Sequence, residues 1–254
     1  FCFGSGLWKG PIGRDEYNIA GGFMGMPLEI VKCETVDLEV PANAEIVLEG
    51  KILCNARKDE GPFGEFTGYS SKNSTRHVIE VTALTRRKDA IYNEIVPGMS
   101  TEHTLLLGIP QEIRILERLK EINPSVKAVA YPVSGVCRLH CYISIKKTAD
   151  GQPVNCIFAA FAEDPSLKLV IVVDDDIDVY NEREVLWALA TRFQADKDVF
   201  LASRCMGALL DPSASAGLTA KMGIDATRPS SNWNAVRCII PEEISEAVRQ
   251  KLGL

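Results

Sequence analysis

The first part of the chain shows the short alternating runs of apolar and polar residues that are typical of β-strands. Residues 28–53 read as extended segments broken by turns, and residues 77–84 and 90–96 predict a further hairpin across a charged connection. No helical spacing separates these strands. The pattern therefore predicts an antiparallel sheet or barrel that ends near residue 100.

After residue 100 the apolar spacing alternates between helix and strand. Pro110 suits the first position of a helix, and apolar residues follow it at helical spacing. The fully apolar run 167–173 predicts a buried parallel strand. Further strands are predicted at 125–133, 138–146 and 198–202, and helices at 152–162, 181–193 and 241–253. We therefore expect two domains: a sheet domain over residues 1–100, and a linker helix with an α/β layer over residues 101–254.

Composition and charge narrow the function classes. The 254 residues carry a formal net charge of −6 and are 46% hydrophobic, as is usual for globular proteins. The negative charge argues against general binding of nucleic acid or anionic membranes, and no apolar run is long enough to span a membrane. The chain begins at Phe1 without Met or a signal-peptide pattern, so we expect a cut through a longer protein or a processed product.

The cysteine pattern favours free thiols over disulfides or zinc. The eight cysteines are scattered through apolar runs without a CxxC pair, and the Cys137–Cys141 spacing is at most half of a zinc site. We expect reduced thiols and a cytoplasmic protein.

The segment Glu-Gly-Pro-Phe-Gly-Glu at residues 60–65 is the strongest chemical candidate. Pro62 fixes its own φ, and the two glycines permit backbone angles that other residues resist, so the segment predicts a rigid turn. Such a turn could direct Glu60 and Glu65 into one cavity. Its spacing alone is equally consistent with a surface turn that carries two solvated acids.

Two other segments have both a structural and a functional interpretation. The acidic run 174–178 could bind a divalent cation or cap the following helix, and the structural interpretation is favoured. Residues 215–227 read as a small-residue loop with one lysine, without a full phosphate-binding pattern. The three histidines show no metal spacing.

Several segments together resemble the UbiD family of decarboxylases. The resemblance covers nearly the whole chain and rests on blocks in the family's order at residues 27–35, 40–50, 60–65 with Gly68-Tyr69, 168–178 and 221–227. It implies a flavin-reductase-like split β-barrel, here partial, followed by an α/β domain that drives oligomerisation. The expected partners are further copies of the chain, as a dimer or hexamer.

The resemblance also implies a reaction and its residues. Family members use prenylated FMN, made by a flavin prenyltransferase, for reversible decarboxylation of aromatic or α,β-unsaturated carboxylic acids. By the match, Glu65 protonates the carbon that CO2 has left, and Glu60 supports the site electrostatically. Phe66 should face cofactor or substrate, Lys168 should approach the cofactor phosphate, and Glu16 should bind a divalent cation, usually Mn2+, with K+ as a further candidate.

The chain departs from the family pattern at its start. The family's network arginine, asparagine metal ligand and cofactor-contacting histidine match no stretch of this sequence, so we expect these residues alone to be inactive or to bind the cofactor poorly. One alternative is a non-catalytic scaffold subunit of a multi-subunit UbiD-type carboxylase. Another is a flavin-reductase-like oxidoreductase, which has no use for paired glutamates on this turn.

Overall fold

The first domain is built from one helix and two antiparallel ribbons. A computed structural model describes residue 13, residues 15–231 and residues 233–253, without the side chain of residue 242. Helix α1 (Glu16–Met24) begins at the capping side chain of Asp15. Strand β1 (Ile30–Lys32) pairs with β2 (Glu39–Pro41), and β3 (Ile46–Glu60) pairs with β4 (Ser74–Arg86).

The long β3–β4 ribbon replaces the predicted second hairpin. Strand β4 takes β3 as its antiparallel partner, and residues 90–96 have no regular structure, so the predicted pairing of 77–84 with 90–96 is wrong. The 15 residues of β3 offer β4 a complete backbone partner. A register shift after Glu49 bends the ribbon at Gly50, where a Cβ would lie 2.4 Å from the Glu80 carbonyl oxygen.

The described residues contain no closed barrel. One face of the ribbon carries exposed apolar side chains, because no second sheet within the described ranges packs on it: Leu48, Ile52, Ile79, Val81 and Leu84 are all more than half exposed. The expectation of mixed α and β structure is confirmed, whereas the finer expectation of a split barrel is not.

The second domain is a five-stranded mixed sheet with helices on both faces. Its elements are α2 (Thr101–Ile122), β5 (Val126–Ala130), a 3-10 turn (Val133–Gly135), β6 (His140–Ile145), α3 (Gln152–Glu163), β7 (Leu169–Asp174), α4 (Glu182–Arg192), β8 (Val199–Met206), β9 (Leu218–Asp225) and α5 (Glu242–Leu252). The strand order is β5-β6-β7-β9-β8. The three central strands are parallel, and the two edge strands are antiparallel to their neighbours.

The core lies on both faces of strand β7. Alternate β7 residues pack under α2 and α3 on one face and under α4 on the other, as the continuous apolar run predicted. Helix α3 approaches the sheet closely at Gly223, where a Cβ would lie 2.2 Å from Ile157 Cγ2. Helix α3 therefore packs directly against strand β9.

Two local predictions differ from the structure. Helix α2 begins at Thr101 after the Ser100 cap, so Pro110 lies inside the helix and does not open it. The cap and the apolar face before Pro110 outweigh the single hydrogen bond that proline removes. Residues 215–227 are mostly strand β9 and not a loop, because Leu218–Asp225 fills the gap between β7 and β8.

The acidic run after β7 has a structural role in ion pairing. Buried Arg192 places its guanidinium 2.7 Å from a carboxylate oxygen of Asp174 and 2.7 Å from one of Asp176. Arg228 contacts both acids from the other side. The favoured structural interpretation is thus supported, although through ion pairs; the capping side chain of α4 is that of Asn181.

The remaining bulk predictions concern thiols and membranes. All seven cysteines in the described ranges are free thiols, while Cys2 lies outside those ranges. Within the same ranges, no helix combines the length and apolar character that crossing a bilayer requires.

Candidate active site

A small hairpin inside the β3–β4 connection carries Glu65. The Phe63 carbonyl accepts the Ser71 N–H at 2.8 Å, and the Glu65 N–H donates to the Tyr69 carbonyl at 2.9 Å. The Gly68 N–H donates to the Glu65 carbonyl at 2.9 Å, and Gly68 has a φ of 80°. This is the three-residue hairpin loop that ends in a left-handed residue, which explains the glycine.

The tip of this hairpin is buried, which is unusual for a turn. Phe66 is 7% exposed and packs with Leu107 of α2 and Val136 in a small apolar cluster. The Arg138 guanidinium lies 5.9 Å from the centre of the Phe66 ring. Phe66 therefore fixes the hairpin, and Glu65 with it, to the second domain.

The hairpin forms one wall of a cavity of about 520 Å³. The opposite wall is the β8–β9 connection, whose Leu209 is 85% exposed. The volume lies within the range of small-molecule sites. The lining residues used below are Glu60, Glu65, Thr67, Arg76 and Asp211.

Glu60 and Glu65 line this cavity from two different elements, strand β3 and the hairpin. Glu60 is the last residue of β3, and its carboxylate lies 3.2 Å from Arg76 Nε on the partner strand. Both side chains of this pair are substantially exposed, so it adds little stability and mainly orients Glu60. Glu65 is half-buried on the hairpin. The end of β3 and the hairpin thus place the two acids in the lining of one cavity.

A buried ion pair holds the opposite wall. The Lys168 ammonium lies 2.7 Å from an Asp211 carboxylate oxygen and donates to the Ser213 hydroxyl at 2.6 Å. Burial alone would raise the pKa of Asp211, but Lys168 and the N–H and hydroxyl of Ser213 stabilise the carboxylate and lower that pKa overall. The loop that carries Leu209 is therefore attached to the start of β7.

The structure brings together some of the sequence candidates and separates others. Glu60 and Glu65 line the cavity, Phe66 lies beneath the hairpin, and Lys168 reaches the cavity wall through Asp211. Glu16 is exposed in the first turn of α1 and is not part of the cavity lining. Across residues 15–231 and 233–253, no three His, Cys, Asp or Glu side chains are grouped so that they could hold a metal ion.

Sequence reasoning missed Arg76, Thr67 and Asp211. It found no arginine in the context of the family's network, yet the strand register places Arg76 beside Glu60. Since Lys58 opposes Arg76 and Ser74 opposes Glu60, only the register reveals the diagonal contact. No sequence signal identified Thr67 or Asp211.

Two family models match the chain. The model of the 3-octaprenyl-4-hydroxybenzoate carboxy-lyase Rift-related domain, named UbiD, matches residues 2–100. The model of the C-terminal domain of the same carboxy-lyase matches residues 104–226. Together they cover most of the sequence.

Similar proteins and structures agree with these matches. The anhydromevalonate phosphate decarboxylase of Methanothermobacter thermautotrophicus is 46% identical over 220 residues, 86% of this chain and 52% of that protein. The UbiD-class enzyme HmfF from Pelotomaculum thermopropionicum, in complex with FMN, is similar at a TM-score of 0.91 and 45% identity over 96% of this chain and 55% of its own. An evolved dimeric form of HmfF with prenylated FMN has a TM-score of 0.84 and 42% identity over 96% of this chain and 53% of its own. This chain thus spans about half the length of these relatives.

Proposed function

This chain belongs to the UbiD family, and from that premise we propose that its protein is a carboxy-lyase that decarboxylates an aromatic or α,β-unsaturated carboxylic acid. The close relatives with assigned activities are decarboxylases of this class. Because the chain spans about half of their length, the proposal concerns the native full-length protein that carries these residues.

The observation that carries the proposal is the pair of carboxyl groups in one cavity. Glu60 has a cationic partner in Arg76, whose Nε lies 3.2 Å from the Glu60 carboxylate. Glu65 is half-buried on a hairpin that is anchored by Phe66, so its position is fixed relative to anything bound in the cavity. The two acids therefore differ in their surroundings, and we propose different roles for them.

We assign the proton transfer to Glu65. Decarboxylation leaves a bonding electron pair on the substrate carbon, and a nearby carboxylic acid can protonate that carbon as CO2 departs. Glu60, paired with Arg76, provides electrostatic support for the site.

Prenylated FMN is the cofactor that we propose for this cavity. When bound, it would supply the electron sink for the pair that CO2 leaves behind. The cavity volume and the unpartnered buried hydroxyl of Thr67 fit a bound organic group. Lys168 and Ser213 could donate hydrogen bonds to a phosphate, although Lys168 already forms an ion pair with Asp211.

The metal and partner assignments extend the same proposal. Glu16 is kept as one oxygen ligand for Mn2+, and K+ remains a further candidate; the described residues alone do not complete either site. We propose residues 1–100 as the cofactor-binding domain and residues 101–254 as the linker and oligomerisation domain. The expected partners are a small carboxylic acid, a flavin prenyltransferase and further copies of the chain.

The test is the pair of variants Glu65→Gln and Glu60→Gln in the native full-length protein, loaded with prenylated FMN. We expect Glu65→Gln to reduce the rate of CO2 release by about 10²–10⁴-fold while flavin absorbance per protein stays unchanged. Glu80→Gln is the matched control, because Glu80 is exposed on β4 and outside the cavity lining. Retention of most of the activity by Glu65→Gln would contradict the assignment, and a wild-type protein that binds no flavin would favour the scaffold alternative.

A further inference from the structure

Thr67 is a cavity residue whose hydroxyl has no hydrogen-bond partner. It is 8% exposed, and no group within the described ranges lies at hydrogen-bond distance from Thr67 Oγ1. Buried side-chain hydroxyl groups are normally paired, so an unpaired one calls for an explanation. Neither the roles assigned to Glu60 and Glu65 nor the packing of Phe66 uses this group.

The hairpin itself does not provide a partner for Thr67. Threonine and serine in turns usually bond to nearby backbone or carboxylate groups, as Ser213 does with Asp211 and Thr227 with Asp225. Around Thr67 the Glu65 carbonyl already accepts the Gly68 N–H, and the Tyr69 carbonyl accepts the Glu65 N–H. The backbone bonds that close the hairpin therefore form without the Thr67 hydroxyl.

The position of Thr67 points to a partner inside the cavity. It lines the cavity two residues after Glu65, on the same buried tip that Phe66 anchors. In the rotamer present the hydroxyl oxygen is itself buried, and a rotation about the Cα–Cβ bond to another staggered position would turn it towards the cavity. A neutral hydroxyl donor pairs with an acceptor oxygen.

We infer that the Thr67 hydroxyl donates a hydrogen bond to an oxygen of the molecule bound in this cavity, beside Glu65. The acceptor is a carboxylate oxygen of the carboxylic acid substrate or a carbonyl oxygen of the flavin ring, since both accept a hydrogen bond from a hydroxyl group. Thr67 is thus a ligand-contacting residue. The inference rests on the proposed function only in taking this cavity as the ligand site.

The experiment compares Thr67→Val, which removes the hydroxyl at constant shape, with Thr67→Ser, which keeps it. FMN and 4-hydroxybenzoate serve as separate probes, and their Kd values are measured by calorimetry on the native full-length protein. We expect Thr67→Val to weaken one probe by about 3- to 10-fold and Thr67→Ser to stay within about twofold of the wild type. The probe that weakens identifies the source of the acceptor oxygen.

Stability of the ligand-free protein provides the second readout. Since the hydroxyl has no protein partner, Thr67→Val should unfold at the same or a higher denaturant concentration than the wild type. The inference is overturned if Thr67→Val binds both probes as the wild type does, if the wild type binds neither, or if Thr67→Val alone is destabilised without ligand. Glu65→Gln separates this result from the proposed function, because it should lose turnover and keep the affinity for both probes.

Discussion

Replacing Phe66 by alanine should destabilise the protein and release the hairpin that carries Glu65. Phe66 is 7% exposed, and its ring fills the space between Leu107 and Val136. Phenylalanine-to-alanine changes in cores cost about 3–5 kcal/mol, which includes the cavity that remains. The Phe66 cluster has only three buried members, so we expect the lower end, about 3 kcal/mol.

Denaturant unfolding of both proteins at neutral pH gives the free energy of unfolding by linear extrapolation. For a chain of 254 residues, a loss of about 3 kcal/mol corresponds to a fall in Tm of about 6–12 °C. The matched control is Phe63→Ala, in the same hairpin, because Phe63 is 49% exposed and should lose less than about 1 kcal/mol.

Measuring turnover as well as stability shows whether Phe66 positions Glu65 or only adds to the packing of the core. If Phe66 fixes the position of Glu65, Phe66→Ala should reduce turnover by a larger factor than it reduces flavin binding. This should hold even at a temperature where the variant is fully folded. Equal destabilisation by Phe63→Ala and Phe66→Ala would refute the reasoning. So would a stable Phe66→Ala variant with full turnover, because the hairpin would then be held by other contacts.

Three further predictions concern the charged groups. Asp211→Asn should lower the free energy of unfolding by about 1–3 kcal/mol, since it weakens the contact to Lys168; limited proteolysis should then cut the β8–β9 connection faster than in the wild type. The stability difference between wild type and Asp211→Asn should also depend on pH. The pKa of Asp211 is lowered in the folded protein, so the unfolded chain takes up the proton first as pH falls. The difference should therefore be complete above about pH 5 and should shrink as pH falls through about 3.9 and below. A difference that stays constant down to pH 3 would contradict this. Arg192→Met should cost about 3 kcal/mol, near the lower limit for a broken buried pair because a second arginine still faces the acids, whereas Arg118→Met on the exposed face of α2 should change stability by less than about 1 kcal/mol in the same denaturant assay.

The sequence predicted most elements of the second domain because their local signals agree. The continuous apolar run at 167–173 became buried strand β7, and the predicted helices at 152–162 and 181–193 became α3 and α4 within a residue or two. In each case, the spacing of apolar residues and their burial favour the same structure. Pro110 misled the prediction because the chain carries two competing signals for a helix start, Pro110 and the cap at Ser100. The sequence alone does not show which signal is stronger.

The pairing of strands could not be predicted in the first domain. The runs 77–84 and 90–96 both have strand character, and proximity in sequence favours a hairpin between them. Strand β4 instead pairs with β3, so that residues 90–96 are left without a strand partner. Sheet pairing depends on which partner offers the longer matched edge, and this is a property of the folded chain.

For the candidate site, the sequence by itself determined a rigid turn with Glu60 and Glu65, and the order of the blocks that resemble the UbiD family. The tertiary structure decided what surrounds the turn: the register that brings Arg76 to Glu60, the cluster that buries Phe66, and the Lys168–Asp211 pair that holds the far wall. The physical reason is distance along the chain. Turn chemistry acts within a few residues and can be read from them. These contacts join residues that are at least 16 positions apart, and they exist only once the chain has folded.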